Sequence, residues 1–274
     1  MEANGWLTPL TSVYNSTNTG NYFASEIQAG TWNGVLYGAP YFYQTGALIY
    51  RKDILARNGL NITDFVTWSG FRNSLNKILD NKTEAALNPN LEGYTFQGDA
   101  YEGGVINLVE WMGGSGGTFL TANGTRANFQ SAIPALTWVA GLVAPIYNSP
   151  LNNPGTFVSD RSELVGDEGS ANTMFMAGNA VMERNWQFAY ANALSNPILN
   201  GSKPLEFLNG TAYSASQDPW FAQHPGLSRV GITTLPYNTT FCGIDNSKNC
   251  HTVGTGGAVL GIPSYLPANR IAAG

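Results

Sequence analysis

Runs of consecutive apolar residues alternate along this chain with apolar residues spaced three and four apart, and the two patterns predict strands and helices in turn. "TWNGVLYGAP" (31–40) reads as a turn at Asn33-Gly34 and a short strand stopped by Pro40. Ala47, Leu48, Ile49 and Tyr50 are consecutive, as in a strand covered on both faces. "RKDILARNGL" predicts a helix of about two turns ended by Gly59. Thr67 caps "WSGFRNSLNKILDN", in which Trp68, Phe71, Leu75 and Leu79 share one face. "GYTFQGDAYEGGVINLVEWMGGSGG" predicts a strand, a tight turn at Gly98-Asp99 and a helix through Met112, ended by the glycine-rich run 113–117. Ser131 and Pro134 open a helix to about Tyr147, and a polar loop covers 148–171. The helix "ANTMFMAGN", the strand "AVMER", the helix "WQFAYANAL" and the strand "RVGITTLPY" follow, and then "HTVGTGGAVLGIP". Without an internal repeat or long linker, this alternation predicts an α/β fold.

Composition narrows the function. The chain has 274 residues, near the size at which single cores split into lobes. It is 43% apolar but only 11% charged, so Asn, Ser, Thr, Gly and Tyr must cover the surface. A net charge of -5 without a Lys/Arg-rich run argues against nucleic acid as a partner and leaves no polybasic patch for acidic lipids. No apolar stretch reaches the ~18 residues of a membrane span, and no signal peptide is visible at "MEANGWLTPL". The acceptor pattern Asn-x-Ser/Thr recurs at Asn15, Asn61, Asn81, Asn123, Asn200, Asn209 and Asn238, which points to an exported, glycosylated protein. Cys242 and Cys250 enclose a polar loop, read either as a hairpin-tip disulfide or as two free thiols. His224 and His251 are isolated, so no metal site is expected, and no cofactor motif is present.

Several segments, in order, resemble the extracellular solute-binding proteins of ABC sugar importers, in the group that holds the maltose, trehalose and glucose binders. They are "NGWLTPL", "NGVLYGAPYFYQTGALIYRKDILARNGL", "TWSGF", "GYTFQGDAYEGGVINLVEWMGGSGG", "MFMAGNAVMERNWQFAY", "VGITTLPY" and "GTGGAVLGIPSY". The resemblance implies a two-lobed periplasmic-binding-protein-like fold with a hinge, and sugar held in an interlobe cleft. It assigns 1–46 and 235–274 to lobe 1 and 47–234 to lobe 2, with crossings at 46–51 and 230–237. Family members extend beyond both ends of the matched region, so lobe 1 is expected to be incomplete and the membrane tether to lie outside this chain.

A sugar site needs flat aromatics for C–H faces and amides, carboxylates or backbone groups for hydroxyls. In "NWQFAY", Trp186 and Phe188 stand where relatives contact sugar; Trp186 is the expected stacking platform, or else it staples the helix start. Relatives carry an acidic residue where Gln44 stands and an aromatic near Phe42; Tyr43 alternates between cleft and core. Gln97 lies at a turn, and Tyr101 and Glu102 open a helix whose free N–H groups favour an acceptor, although Glu102 can equally complement the helix dipole. Gly254 and Gly256, in "GTGGA", let backbone approach a ligand or form a strained turn; relatives often place tryptophan at the position of Ala258. Glu110 and Trp111 read as packing residues, and Tyr190 as core.

Among Glu102, Glu110 and Glu183 no spacing selects a catalytic pair, and no Ser-His-Asp or Cys-His constellation stands out. The expectation is therefore a monomeric receptor, without catalysis, that passes a mono- or oligosaccharide to an ABC transporter permease at an archaeal-like cell surface. The alternatives are a sugar-processing enzyme and a glycosylated structural surface protein.

Overall fold

The computed structural model describes residues 4–12, 14, 19–121, 126, 128–143, 157–202, 219–224, 226–243, 250 and 254–266. In chain order these residues form α1 (Ala24–Ala29), β1 (Thr31–Trp32), β2 (Val35–Leu36), β3 (Gly38–Thr45), β4 (Ala47–Arg51), α2 (Lys52–Arg57), α3 (Trp68–Leu79), α4 (Lys82–Leu87) and β5 (Glu92–Thr95). They continue through α5 (Glu102–Gly114), α6 (Phe129–Leu142), α7 (Glu168–Met176), β6 (Ala180–Asn185), α8 (Gln187–Ser195), α9 (Pro219–Gln223), β7 (Val230–Thr233), α10 (Thr239–Cys242) and β8 (Thr255–Gly261). The chain divides into two compact units: unit 1 is Met1–Thr45 with Thr255–Gly274, and unit 2 is Gly46–Gly254. The α/β class is as expected.

Unit 2 is built on a four-stranded sheet in the order β5-β6-β4-β7, with β5 parallel and β7 antiparallel to their neighbours. The continuous apolar run of β4 is explained by its central place. Leu48 joins one core with Phe71, Leu75, Tyr94, Trp111 and Met112, while Ile49 joins a second core with Phe175, Ala189 and Val230. Successive strand residues point to opposite faces, so both faces of the sheet are covered by helices. Thr67 caps α3 by accepting from the Gly70 N–H at 3.0 Å, and Gly59 ends the α2 segment at φ 60°.

Unit 1 pairs β3 with β8 antiparallel and carries the β1–β2 hairpin, whose Asn33-Gly34 turn has φ 48° and 78°. Among its described residues only Leu10 and Leu36 are buried large apolar side chains.

Four expectations differ from the structure. Pro40 does not stop a strand; it lies within β3 beside a bulge between Pro40 and Phe42, in a two-stranded sheet where a missing N–H is tolerated. The helix opened near Ser131 ends at Leu142, because Val143 turns to pair with Ser159, and Tyr147 lies outside the described residues. The return crossing is at Gly254/Thr255 rather than near 235: β7 pairs with β4, and Leu235 packs into the first core of unit 2. Cys242 and Cys250 do form a disulfide, but Cys242 ends the short helix α10 instead of a hairpin strand. The enclosed 244–249 lie outside the described residues.

Candidate functional site

β6 is apolar at its start and ends in Glu183, Arg184 and Asn185, all buried, and Trp186 then takes the first position before α8. Strand alternation sends Glu183 and Arg184 to opposite faces. On its face, the Arg184 guanidinium forks onto Glu110, with Nε to Oε2 at 2.7 Å and Nη2 to Oε1 at 2.6 Å. Its Nη1 donates to Gln97 Oε1 at 2.8 Å, and Gln97 Nε2 donates back to the Arg184 carbonyl at 2.7 Å. Asn107, one turn into α5, donates from Nδ2 to Gln97 Oε1 and to the Gly103 carbonyl. The Glu110 Oε1 atom also accepts the Gly254 backbone N–H at 2.6 Å. Charge-assisted bonds of this kind, fully buried, fix every member in one geometry.

Trp186 lies against this network, with Arg184 4.3 Å from its ring centre, within cation–π range. Its backbone N–H donates to Asn185 Oδ1 at 2.9 Å, and its indole N–H points to Glu168 Oε1 at 3.3 Å. Tyr101 donates its hydroxyl proton to the other Glu168 oxygen, and Asn185 Nδ2 holds the Glu168 carbonyl at 3.0 Å. Burial and the Glu168 hydrogen bond raise the Tyr101 phenol well above its ordinary range, so it stays a donor. The start of α5, the start of α7 and the β6–α8 junction thus bring an indole, a phenol and a carboxylate together.

Of the residues expected to bind ligand, Trp186, Tyr101, Gln97 and Gly254 belong to this network in unit 2. Gln97 is a supporting member there, fully buried with its amide committed to Arg184 and Asn107. Phe188 is exposed on α8 and Glu102 on α5, outside the network. Phe42, Tyr43, Gln44 and Gly256 belong to unit 1, where Phe42 pairs with Ala258, Tyr43 with Gly257 and Gln44 with Gly256. Tyr43 also lies 5.3 Å from the Phe23 ring. The "GTGGA" segment is the entry to β8 rather than a turn.

Sequence reasoning missed Arg184, Glu168, Asn185 and Asn107, and it took Glu110 for packing. The available signal was a Glu-Arg-Asn run ending an apolar strand and a Glu set among apolar residues in the second half of α5. Opposite charges in segments bound for burial must find each other.

The acceptor asparagines differ in availability. Asn61 is exposed. Asn81 donates Nδ2 to Asn58 at 2.7 Å, and Asn200 donates Nδ2 to the Leu194 carbonyl at 3.1 Å. Asn238 accepts the Thr240 N–H as the cap of α10. Asn15, Asn123 and Asn209 lie outside the described residues.

On the other face of β6, Glu183 is buried and accepts from Asn185 Nδ2 and, at 3.5 Å, Asn172 Nδ2. Burial, with Glu163 nearby, pushes its carboxyl up to about 7 against those hydrogen bonds. The unfolded chain releases this proton near 4.5, so between 4.5 and 7 the folded state holds the extra proton. Its contribution is therefore complete below about pH 4.5 and lost as pH rises through 7, amounting to about 3 kcal/mol. Glu183→Gln, a neutral isostere, is expected to flatten the fall in stability between pH 5 and 7.5. Denaturant melts across that range measure it, and an unchanged slope would place the titration elsewhere.

The family described as bacterial extracellular solute-binding protein matches residues 2–252. A probable ABC transporter-binding protein of Deinococcus radiodurans is 32% identical over 172 residues, which is 62% of this chain and 37% of that protein. The maltose-bound T. maritima MalE3 structure is similar with a TM-score of 0.69 at 24% identity, covering 99% of this chain and 56% of its own. A solute-binding protein of Thermotoga lettingae, bound with alpha-D-tagatose, has a TM-score of 0.64 at 19% identity, covering 99% and 57%. The chain therefore spans about half the length of the solved structures it matches, and less of the curated relative.

Proposed function

For a chain that belongs to the family of bacterial extracellular solute-binding proteins, we propose a receptor role. It captures a mono- or oligosaccharide outside the membrane and delivers it to the permease of an ABC transporter. The observation that carries this reading is the placement of Trp186, with Arg184 against its ring and its edge meeting Glu168 and Tyr101. Trp186 is buried in this structure with Arg184 over its ring; on ligand entry an indole plane would meet the C–H face of a pyranose, and a carboxylate and phenol beside it would suit the hydroxyls. Within unit 2, Phe188 and Glu102 are proposed as further contacts; Phe42, Tyr43, Gln44 and Gly256 remain proposed ligand residues of unit 1 taken by itself. The maltose-bound and tagatose-bound relatives make neutral sugars the first ligands to test.

The reading includes no catalysis. Glu110 is locked on Arg184, and Glu183 is buried against Asn172 and Asn185, so neither is free to face a second carboxylate across a glycosidic bond. The family description supports an extracellular or periplasmic location, and the Cys242–Cys250 disulfide suits an oxidising compartment. No helix among the described residues is long and apolar enough to cross a membrane, and a tether outside these residues completes the proposal. Asn61 is the described acceptor best presented for glycosylation.

Thermal melts with maltose, trehalose, glucose and tagatose test the reading. One of these sugars at about a hundredfold its Kd stabilises by about 2.7 kcal/mol, a rise of about 5–10 °C. Trp186→Ala abolishes the rise. Release of smaller sugars from maltose or trehalose would establish an enzyme instead, and no shift with any sugar removes the sugar assignment.

A further inference from the structure

Arg184 does more than neutralise Glu110. Its guanidinium lies against the Trp186 ring, while Glu110, the carboxylate it holds, also receives the Gly254 N–H. Gly254 in turn accepts the Gly46 N–H through its carbonyl at 2.9 Å. Gly46 and Gly254 are the residues at which the chain enters and leaves unit 2. A Cβ at Gly46 would overlap Glu110 Oε1 and lie 2.6 Å from Arg184 Nη2, and one at Gly254 would overlap Ile106 and lie 2.8 Å from Glu110 Oε1. The ion pair and the two backbone segments are thus in contact with no room for a side chain between them.

We infer that Arg184 and Glu110 are positioning residues, which set the Trp186 ring and tie its placement to the backbone at Gly46 and Gly254. The inference rests on Trp186 as the ligand platform in the proposed function. A buried ion pair that served stability alone could be exchanged for apolar residues of similar volume. This pair also supplies the acceptor for one backbone donor and the cation against one ring. A sugar stacked on the indole fixes the ring, the guanidinium against it, the carboxylate it grips and finally the Gly254 amide. By linkage, ordering of Gly46 and Gly254 favours the same ring placement.

Amide hydrogen exchange, residue by residue, tests this in the absence of ligand. Trp186→Leu is expected to speed exchange at Gly46 and Gly254 about tenfold, with the Ile49 and Val230 amides of the sheet unchanged. Arg184→Met/Glu110→Leu is expected to speed the same two amides, and Arg184→Lys, which keeps the charge without the fork, fails to restore them. Unchanged exchange at Gly46 and Gly254 in Trp186→Leu overturns the inference, as does an equal rise throughout the sheet. A second arm adds maltose. Maltose slows exchange at both glycines severalfold in the wild-type chain, whereas the double variant, which is expected to bind more weakly, shows no such slowing at a maltose concentration raised until its binding saturates. If maltose does not bind the wild-type chain, the sugar assignment fails on its own, and the ligand-free arm still decides the positioning role.

Discussion

Arg184→Met lowers the stability of the chain by about 3–5 kcal/mol, because it leaves the Glu110 carboxylate buried beside an apolar side chain. Both partners are fully buried, so water cannot replace the lost guanidinium. Gln97 Oε1 loses one of its two donors as well, which adds to the penalty. Arg184→Met/Glu110→Leu recovers most of this loss, since the charge is then removed with its counter-charge. It does not recover all of it, for the Gly254 N–H still lacks its acceptor. Urea melts of the two variants measure both effects. A double variant no more stable than Arg184→Met alone would show that the pair is not the dominant interaction at this site.

The second large effect is at Asp53, which is fully buried among three arginines. Arg51 forks onto it at 2.8 and 2.7 Å, Arg57 reaches it at 3.2 Å and Arg229 at 3.8 Å. Burial alone would raise this carboxyl, but the guanidiniums of Arg51, Arg57 and Arg229 outweigh it and hold it well below the carboxylate range. Asp53→Asn keeps the shape and removes the charge, leaving Arg57 with Glu84 and the others with a weaker neutral partner. The expected cost is about 3–5 kcal/mol at pH 7. A depressed folded pKa contributes stability that is present above the unfolded value near 3.8 and lost as pH falls. The difference between wild type and Asp53→Asn should therefore shrink below about pH 4, and an equal difference at pH 3 and pH 7 would overturn the ionic account.

Together with Glu183, these groups set opposite slopes. Asp53 contributes stability above the acid range, and Glu183 contributes it below neutrality. For these two groups taken alone, the contributions overlap on the acid side of neutral.

Residues 38–55 illustrate how far sequence reading reached. The apolar middle was legible, because four consecutive apolar residues bounded by Gly46 and Arg51 suit a strand covered on both faces. The charged end was legible as a helix start, which α2 bears out, but not as a buried ion cluster, because Arg229, which completes it around Asp53, is distant in sequence. The same holds at the site. Trp186 and Tyr101 could be chosen by residue type and by resemblance, whereas Arg184 and Glu110 meet across 74 positions, and nothing local to either names the other. Pro40 followed a local rule that an edge position with a bulge sets aside.

The sequence by itself determined the α/β class, most helix and strand locations and the family, because these follow from the local period of apolar residues and from collinear motifs. It also determined that charge would be scarce, and hence that any buried charge would need a partner. Only the tertiary structure decided which charges pair, and that Gly254 rather than residue 235 ends unit 2. It alone placed Trp186 against Arg184 and Glu168. These contacts join residues far apart in the chain, and they are selected by the desolvation of polar groups inside a finished core, a quantity that exists only after the chain has folded.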